Sequence, residues 1–587
     1  MKRILFLLLL FTMFTGFVQA EILVDGRMVD WAGVTPVYVD PLGDGAAGSV
    51  DFDSLWVTEE YGFLIIRANL NCEVLMQGTN DLELLIDRDN SSETGVEVHG
   101  LGADIIWRFG ERSGTYYGNG SSESLNQFEI GIVTAPTVTA EQFEISLVLS
   151  KQLDGEFLLP AGEIRLMLIH DTQSGDTAPD TDGLLFTIPS GDPGSPVALT
   201  IPEDPDNDDS VTRFVTWNVL FDGFMDRPEP FHRILAAIQP EIIVFEEMWD
   251  TSPTQVISSL NSWLPVEGGW NAAKEEGNIV LATPNEIIGT WDISGARATA
   301  FLVEMNGAPG SEMLVIGAHP PCCDNNEARQ LEIDAIMAWL REAKEGNGPP
   351  DLDAFYSVVV TGDMNLVGYR EQLETLVDGT IINQSEYGPS FGPDFDGSSL
   401  TDAFPRHVTQ NQVYTWRDDS SNYSPGKLDY IIYSDTVLDP VNMFVFDTRT
   451  VSSTTLEELG VYEDDSETAS DHMPVVVDFE MIIDTVSEML SHASPEKWVI
   501  WSVSPNPTNA SLMVSMSLKR SINGSLGVYD ILGREVIQLK EGRFSAGNHV
   551  IGWNGCDRHG VPVASGRYFL RLEGNHGSTH LPLTIVE

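Results

Sequence analysis

Several short apolar runs between residues 211 and 479 end in side chains that can bind a cation or move a proton. Carboxylate and amide oxygens are ligands for hard cations, and carboxylates and imidazoles transfer protons. Short apolar runs predict buried strands, and polar residues at the ends of such strands can gather at one edge of a sheet. The pattern therefore predicts a metal-binding and proton-transferring cluster at the ends of several buried strands. The residues concerned are Asn218, Glu246, Glu247, His319, Asp363, Asn365, Asp429, Asp471 and His472.

Strand and helix signals alternate over residues 211–483, the part of the chain that carries these side chains. The clearest helix is predicted over 327–345, where Ile333 and Met337 stand four residues apart on an apolar face. We expect two packed sheets with helices outside them. Strands are predicted over 213–220, 241–245, 278–282, 313–318, 357–361, 428–434 and 474–479.

Residues 21–200 have a different pattern, in which short apolar runs alternate with clusters of Gly, Asn, Asp and Ser. No long stretch of helical period intervenes, so the spacing predicts a sandwich of antiparallel strands. Asp87, Asp89 and Glu93 place carboxylates in one loop of this region. Ca²⁺ binding is one interpretation of that loop, because hard oxygen ligands suit the ion; a solvated acidic turn is the other.

The two ends of the chain predict export and a third domain. Residues 1–20 have a basic start, an apolar run and a small-residue cleavage site before Glu21, which is typical of a secretory signal peptide. A membrane anchor is the alternative, but the run is short for a bilayer, and no later segment predicts a transmembrane span of the mature chain. Linkers are predicted at 201–210 and 484–497, followed by a β domain over 498–587.

The formal charge of the chain is −58, and its excess of acidic side chains lies in residues 21–496. Residues 211–496 carry 13 basic and 48 acidic side chains, whereas residues 497–587 carry 9 basic and 6 acidic ones. An acidic surface attracts divalent cations and disfavours long nucleic acids, which bind through Lys and Arg. The 4 cysteines are too few for a disulfide framework, and the adjacent Cys322 and Cys323 could be a vicinal disulfide or two thiols.

The order of the polar motifs in residues 211–483 resembles that of the endonuclease/exonuclease/phosphatase superfamily, which includes deoxyribonuclease-I-like enzymes. The motifs that carry this resemblance are Phe245-Glu246-Glu247, Ala318-His319-Pro320, Gly362-Asp363-Met364-Asn365, Lys427-Leu428-Asp429-Tyr430 and Ser470-Asp471-His472. The resemblance implies a four-layered α/β sandwich and hydrolysis of a phosphoester with Mg²⁺ or Mn²⁺.

The resemblance also implies roles for these residues. Asn218, Glu247 and Asp471 would form the metal environment, although Glu246 competes with Glu247 for the ligand position. His319 would be the general acid, and Asp363 would orient or deprotonate the attacking water. Asn365 would donate a hydrogen bond to the phosphate. His472 would be a base or a phosphate clamp, with Asp429 fixing its tautomer. Lys427 stands where the family often has Arg, which weakens a bidentate role there.

Residues 498–587 resemble the sorting domain of type IX secretion and the hook-capping immunoglobulin-like fold, and residues 21–200 resemble sugar-binding-type sandwiches of secreted enzymes. Together the resemblances imply a secreted or surface-attached phosphoesterase. Its N-terminal domain would bind a glycan, and its C-terminal domain would bind the secretion machinery. Its substrate would be a phosphodiester or phosphomonoester, as in nucleases, sphingomyelinases or small-substrate phosphatases. The alternative is a non-catalytic glycan-binding or adhesion protein whose middle domain has degenerated.

Overall fold

The computed structural model of the chain divides into two compact units, Met1–Met481 and Ile482–Glu587. The first unit contains both the predicted sandwich and the predicted α/β region. The predicted signal peptide at 1–20 and the predicted linkers at 201–210 and 484–497 lie outside the described residues. The structure describes residues 21–45, 49–118, 120–196, 211–305, 312–350, 357–481, 499–504, 512–518, 522–530, 534–545, 547–574 and 577–585.

The first part of the larger unit consists almost entirely of strands. Its one described helix is α1 (Gln127–Ile130), which begins at the capping residue Asn126. The strands are β1 (Tyr38–Val39), β2 (Ser54–Glu60), β3 (Phe63–Val74), β4 (Leu82–Asp87), β5 (Val96–Val98), β6 (Leu101–Ala103), β7 (Ile105–Arg108), β8 (Ser113–Gly118), β9 (Ser121–Leu125), β10 (Ile132–Ala135), β11 (Ala140–Val148), β12 (Gln152–Leu153), β13 (Glu156–Phe157), β14 (Gly162–His170), β15 (Thr177–Ala178) and β16 (Leu184–Ile188).

Two antiparallel sheets in this part enclose one apolar core. One sheet has the order β1-β2-β3-β11-β10, and the other has the order β15-β14-β4-β7-β8-β9, with β16 also paired to β14. Alternate residues of β3 and β4, such as Leu64, Ile66, Leu84 and Ile86, meet in that core. The period of two therefore produces the β-sandwich arrangement that the spacing of apolar runs predicts.

The second part of the larger unit mixes strands and helices, with a short 3-10 helix at Thr448–Thr450. Its strands are β17 (Val211–Asn218), β18 (Ile242–Glu246), β19 (Asn271–Ala273), β20 (Val280–Thr283), β21 (Ile287–Asp292), β22 (Ala298–Val303), β23 (Met313–Ala318), β24 (Ser357–Asp363), β25 (Thr401–Asp402), β26 (Asp429–Tyr433), β27 (Leu438–Val445) and β28 (Val475–Met481). Its α-helices are α2 (Gly223–Asp226), α3 (Pro228–Ile238), α4 (Pro253–Trp263), α5 (Asn326–Lys344), α6 (Glu371–Asp378), α7 (Gln384–Tyr387), α8 (Ser453–Leu459) and α9 (Asp465–Ala469).

These elements form four layers, with two six-stranded sheets between helices. Sheet I has the order β19-β20-β18-β17-β28-β27, and sheet II has the order β21-β22-β23-β24-β26-β25. The two sheets pack face to face through Val244, Val315, Val359 and Val477 among others. Helices α3 and α4 cover the outer face of sheet I, and α5 covers that of sheet II. Because both faces of each sheet are buried, the central strands are nearly continuous apolar runs.

Helix α5 shows how the sequence sets this layering. It spans Asn326–Lys344, within a residue of the predicted 327–345 at each end. Ile333, Ile336, Met337 and Leu340 are wholly buried on one face, where they pack against sheet II. The apolar spacing of three and four residues therefore determines which face of the helix covers the sheet.

The sandwich and the α/β region share a small apolar cluster within the larger unit. Val24 and Trp31 pack there with Tyr414 and Met473. The Val24 N–H donates to the Asn411 carbonyl at 3.0 Å, which joins the segment around Val24 to the α/β region.

The smaller unit is also built from antiparallel strands. They are β29 (Val499–Ser504), β30 (Leu512–Leu518), β31 (Ile522–Asp530), β32 (Glu535–Phe544), β33 (Gly547–Trp553), β34 (Gly566–Gly574) and β35 (Gly577–Ile585). They form two sheets, of order β29-β30-β33 and β32-β31-β34-β35. Leu526, Phe544, Trp553 and Leu570 are among the buried residues of its core.

Among the helices that the structure describes anywhere in the chain, none is long and apolar enough to cross a membrane.

A buried ion pair links β17 and β28, two neighbouring strands of sheet I. Arg213 on β17 stands opposite Asp478 on β28. Its Nε and Nη2 atoms donate to the two Asp478 oxygens at 2.6 and 2.9 Å, and the Arg213 side chain has no exposed surface. Removing one partner of a buried pair leaves an uncompensated charge.

We therefore expect Asp478→Asn to lower the free energy of unfolding by about 3 kcal/mol, measured by urea denaturation. The matched control is Glu480→Gln, an exposed acid on the same strand, which should change it by less than about 0.5 kcal/mol. Equal losses in the two variants would show that the ion pair has no special weight.

Candidate active site

The predicted polar residues lie where the two central sheets end at a common edge. Asn218 ends β17 and Glu246 ends β18, two parallel neighbours in sheet I. In sheet II, Asp363 ends β24 and stands opposite Asp429, which begins the antiparallel β26. Antiparallel pairing therefore brings the start of one strand to the end of another, and the site contains residues from both sheets.

Asp363 is the centre of this group and is only 2% exposed. Its Oδ2 accepts a hydrogen bond from Asn218 Nδ2 at 3.0 Å. The same oxygen lies 3.6 Å from His319 Nε2 and 3.6 Å from His472 Nε2. Its other oxygen accepts from the Asn365 N–H at 3.0 Å. The structure thus brings four of the predicted residues to the carboxylate of a fifth, Asp363.

His472 is oriented by a buried chain of hydrogen bonds. Its Nδ1 donates to Asp429 Oδ2 at 2.8 Å, and Thr415 Oγ1 donates to the same oxygen at 2.6 Å. Burial lowers the pKa of His472, but the Asp429 and Asp363 carboxylates outweigh it and raise that pKa to about 10. Without a cation, the charged imidazolium is therefore favoured, and its Nε2–H points toward Asp363. This arrangement suits a phosphate clamp better than a base.

His319 has its own orienting partner, which the sequence does not reveal. Asn278 is buried, and its Nδ2 donates to His319 Nδ1 at 2.8 Å. Because Nδ1 accepts that bond, the proton of the neutral ring lies on Nε2, 3.9 Å from Glu247 Oε1. Asn278 is predicted only as the first residue of a strand, because a single Asn at that position belongs to no recognisable motif.

The loop that follows His319 is held by a buried arginine. Arg329 on α5 donates from Nε to the Pro321 carbonyl at 2.9 Å and from Nη2 to the Cys323 carbonyl at 2.6 Å. Cys322 and Cys323 are exposed free thiols, so the disulfide alternative is not what the structure shows.

Glu247 faces the site, and Glu246 does not. Glu247 has a left-handed backbone, with φ of 61°, and its Oε1 accepts from Asn218 Nδ2 at 3.2 Å. Its Oε2 accepts from the Phe221 N–H at 2.9 Å. Leu220 and Phe221 are left-handed as well, at 51° each. Such conformations are costly for these residue types and occur where surrounding structure demands them.

Glu246 is wholly buried between the sheets. Its Oε1 accepts from Thr216 Oγ1 at 3.0 Å, and its Oε2 has no donor in the described part of the chain. Burial, together with the charges of Asp429 and Asp363, raises the pKa of Glu246 well above its usual range. Glu247 contacts Asn218 and has both oxygens oriented by hydrogen bonds, so it is the better candidate of the two.

Asp471 is the predicted metal ligand that the structure does not bring into contact with the other two. Its Oδ2 accepts from Trp416 Nε1 at 2.9 Å. Across the described ranges, no hydrogen bond or ion pair connects it with Asn218 or Glu247. Its Oδ1 is buried and has no hydrogen-bond partner there, as is also true of Asp429 Oδ1.

These unpaired oxygens bear on whether the site suits a divalent cation. A buried carboxylate oxygen without a donor costs free energy, which a cation can recover. Asp363, Asp429 and His472 also place ligand atoms within 4.8 Å of one another. Nδ1 of His472 is already used by Asp429, so the unpaired carboxylate oxygens are the atoms that a hard ion could use.

The remaining predicted residues have largely structural partners. Asn365 Nδ2 donates to the Pro320 carbonyl at 3.1 Å, which leaves its second N–H for a ligand. Lys427 pairs with Asp402 at 2.6 Å and lies over the Phe404 ring, 3.9 Å from its centroid, so it does not orient His472.

The predicted calcium loop of the sandwich is partly assembled. Asp87 and Asp89 place oxygens within 4.8 Å of each other and of an oxygen of Asp104. Asp104 is not predicted, because it lies outside the loop, between β6 and β7. Glu93 is not a member of that group; its N–H donates to Ser91 Oγ at 3.3 Å.

No model of a protein family and no curated protein matches the chain. Many solved structures show a partial likeness, among them the following three. The human Nocturnin catalytic domain is 16% identical, over 46% of this chain and 95% of its own, with a TM-score of 0.30. An endonuclease/exonuclease/phosphatase from Beutenbergia cavernae is 15% identical, over 64% and 100%, with a TM-score of 0.29. Sphingomyelinase C from Streptomyces griseocarneus is 16% identical, over 46% and 99%, with a TM-score of 0.29.

The raised pKa of His472 leads to a prediction about stability. A raised folded-state pKa means that the native protein holds a proton which the unfolded chain releases near pH 6.5. This contribution is fully present below pH 6.5 and is lost as the pH rises through about 10. In chelator, the stability difference between the wild type and His472→Gln should therefore shrink from pH 6 to pH 10.

Urea denaturation at several pH values measures that difference. His99→Asn, at an exposed position with a left-handed backbone, is the control and should show no such trend. A His472→Gln difference that is constant over this range would contradict the assignment of a bound proton to His472.

Proposed function

We propose that residues 211–481 hydrolyse a phosphoester with the help of a divalent cation. The observation that carries this proposal is the convergence of Asn218, His319 and His472 on the buried Asp363 carboxylate. Phosphoester hydrolysis needs a water to be oriented, negative charge to be neutralised and a leaving oxygen to be stabilised. The residues around Asp363 offer a group for each task.

The cation would be held by Glu247, Asn218 and the unpaired oxygen of Asp471. A hard cation such as Mg²⁺ or Mn²⁺ supplies charge neutralisation at the phosphate oxygens when it is bound. Glu247 is suited to this because Asn218 and the Phe221 N–H fix both of its oxygens, which keeps the ligand geometry in place.

The protein side chains remove one proton and donate hydrogen bonds to the developing negative charge. The Asp363 carboxylate accepts a hydrogen bond from the attacking water and takes its proton as the water oxygen bonds to phosphorus. The bond from phosphorus to the leaving oxygen then breaks and its electron pair stays on that oxygen. His319 Nε2–H donates a hydrogen bond that stabilises the leaving oxygen until it takes a proton from solvent. His472 and the free N–H of Asn365 donate to the non-bridging phosphate oxygens, where negative charge grows.

Charge guides the choice of substrate. Residues 211–496 carry 13 basic and 48 acidic side chains, so long nucleic acid gains little from counterion release. Small phosphodiesters, phosphomonoesters and lipid headgroups lack that requirement. Phe221 and Trp249, on the loops beside Glu247, are 67% and 46% exposed and could contact an apolar or aromatic leaving group. We therefore propose a compact substrate.

Glu247→Gln should lower the rate at least about 100-fold, because one ligand charge is lost with little change of shape. Hydrolysis of bis-p-nitrophenyl phosphate over a magnesium titration measures this, and DNA, RNA, sphingomyelin and a phosphomonoester then define the substrate. Glu267→Gln, an exposed acid of the same region, is the control. An unchanged rate and magnesium dependence in Glu247→Gln would remove Glu247 from the metal site.

His472→Ala should cost about 10³-fold in kcat, and Asp429→Asn should cost less because it acts through the ring that it orients. The double variant should be no slower than His472→Ala alone, since both residues act as one unit. Asp439→Asn, on the exposed side of β27, should keep the wild-type rate. If the double variant instead showed the full product of the two losses, the two residues would be acting independently.

A further inference from the structure

Four aspartates form a second acidic group, at one end of the N-terminal sandwich. Asp40, Asp44, Asp176 and Asp180 each place one carboxylate oxygen within 4.8 Å of the others. The group shares no residue with the candidate active site or with the group around Asp87. An acidic group of this kind is common on surfaces, so its meaning depends on how its members are held.

Asp40 is a buried member of the group, and water does not solvate its charge. It is 4% exposed, and neither of its carboxylate oxygens has a hydrogen-bond partner among the described residues. Burial raises the pKa of Asp40 to about 7, and Asp176, Asp180 and Asp44 add to that rise, while the nearby Tyr38 hydroxyl only partly offsets it. A buried carboxylate with two unpaired oxygens and acidic neighbours lacks a positive partner.

Asp176 is held with its lone pairs available. Its Oδ2 accepts from the Phe52 N–H at 2.6 Å, and its Oδ1 accepts from the Thr177 N–H at 2.7 Å. These two bonds favour the ionised carboxylate and orient it, yet a carboxylate has about four acceptor positions. Tyr38 Oη donates to Asp180 Oδ2 at 3.4 Å, which links the exposed Asp180 to the strand that precedes Asp40.

The position of the group in the fold gives a bound ion a structural task. Asp40 directly follows β1, the edge strand of the five-stranded sheet, and Asp176 directly precedes β15, the edge strand of the other sheet. Strands of two residues at sheet edges gain little from their own hydrogen bonds. A cation bound by Asp40 and Asp176 would therefore join the two sheets of the sandwich at their edges.

We propose that Asp40, Asp44, Asp176 and Asp180 bind Ca²⁺. All four donors are carboxylates, and Ca²⁺ takes six to eight oxygens in flexible geometry, with carboxylates binding through one or both oxygens. Mg²⁺ demands a tighter octahedron and keeps most of its waters, so it suits four clustered carboxylates less well. The proposal concerns the sandwich alone and does not depend on the phosphoesterase chemistry.

The first test is thermal unfolding of the full chain in chelator, in CaCl2 and in MgCl2. Saturating Ca²⁺ should raise the Tm of the sandwich transition by on the order of 5 °C, and Mg²⁺ should raise it less. Asp40→Asn should be no less stable than the wild type in chelator, because it removes a buried charge, and should lose the calcium-dependent rise. Asp154→Asn, in the exposed β12–β13 turn, is the matched control and should keep it.

A direct measurement separates this site from the group around Asp87. Equilibrium dialysis with ⁴⁵Ca²⁺ should show one fewer ion bound to Asp40→Asn than to the wild type, and Asp89→Asn should retain the ion that Asp40→Asn loses. If Asp40→Asn does not fold, the exposed Asp44→Asn replaces it and should weaken binding at least 10-fold. An unchanged calcium stoichiometry and Tm rise in these variants would overturn the proposal.

Discussion

Two of the hydrogen bonds that join sheet I to sheet II at their common edge end on buried carboxylates. Asn218 of sheet I donates to Asp363 of sheet II, and His472, which precedes a strand of sheet I, donates to Asp429 of sheet II. The apolar interface between the sheets brings these strand ends together, but apolar contacts are not directional. The two polar pairs set how the ends align, and the hydrogen bonds in each pair offset the cost of burying its charge.

The residues that the sequence predicts lie in short motifs at the ends of apolar runs. Asp363 and Asn365, or Asp471 and His472, stand at the ends of apolar runs, and the alternation of strands and helices is enough to place those ends together. Helix α5 falls within a residue of its prediction because its apolar spacing is regular. Local pattern therefore accounts for the layers and for most of the candidate site.

The residues that the sequence misses act through partners far away in the chain. Asn278 lies 41 residues from the His319 that it orients, and Trp416 lies 55 residues from Asp471. Nothing in the run around either residue distinguishes it from an ordinary loop or strand residue. For the same reason, the choice between Glu246 and Glu247 depends on a left-handed residue at a strand end, which no spacing rule reveals.

The contact between Val24 and Asn411 has a consequence for how such a chain can evolve. The segment after Asn411 supplies Thr415 to Asp429 and Trp416 to Asp471, so the segment around Val24 supports the candidate site of the distant α/β region. Gene rearrangements that exchange whole modules succeed when the exchanged part can leave without disturbing its neighbour. Here the sandwich is expected to be inherited together with the region that it braces.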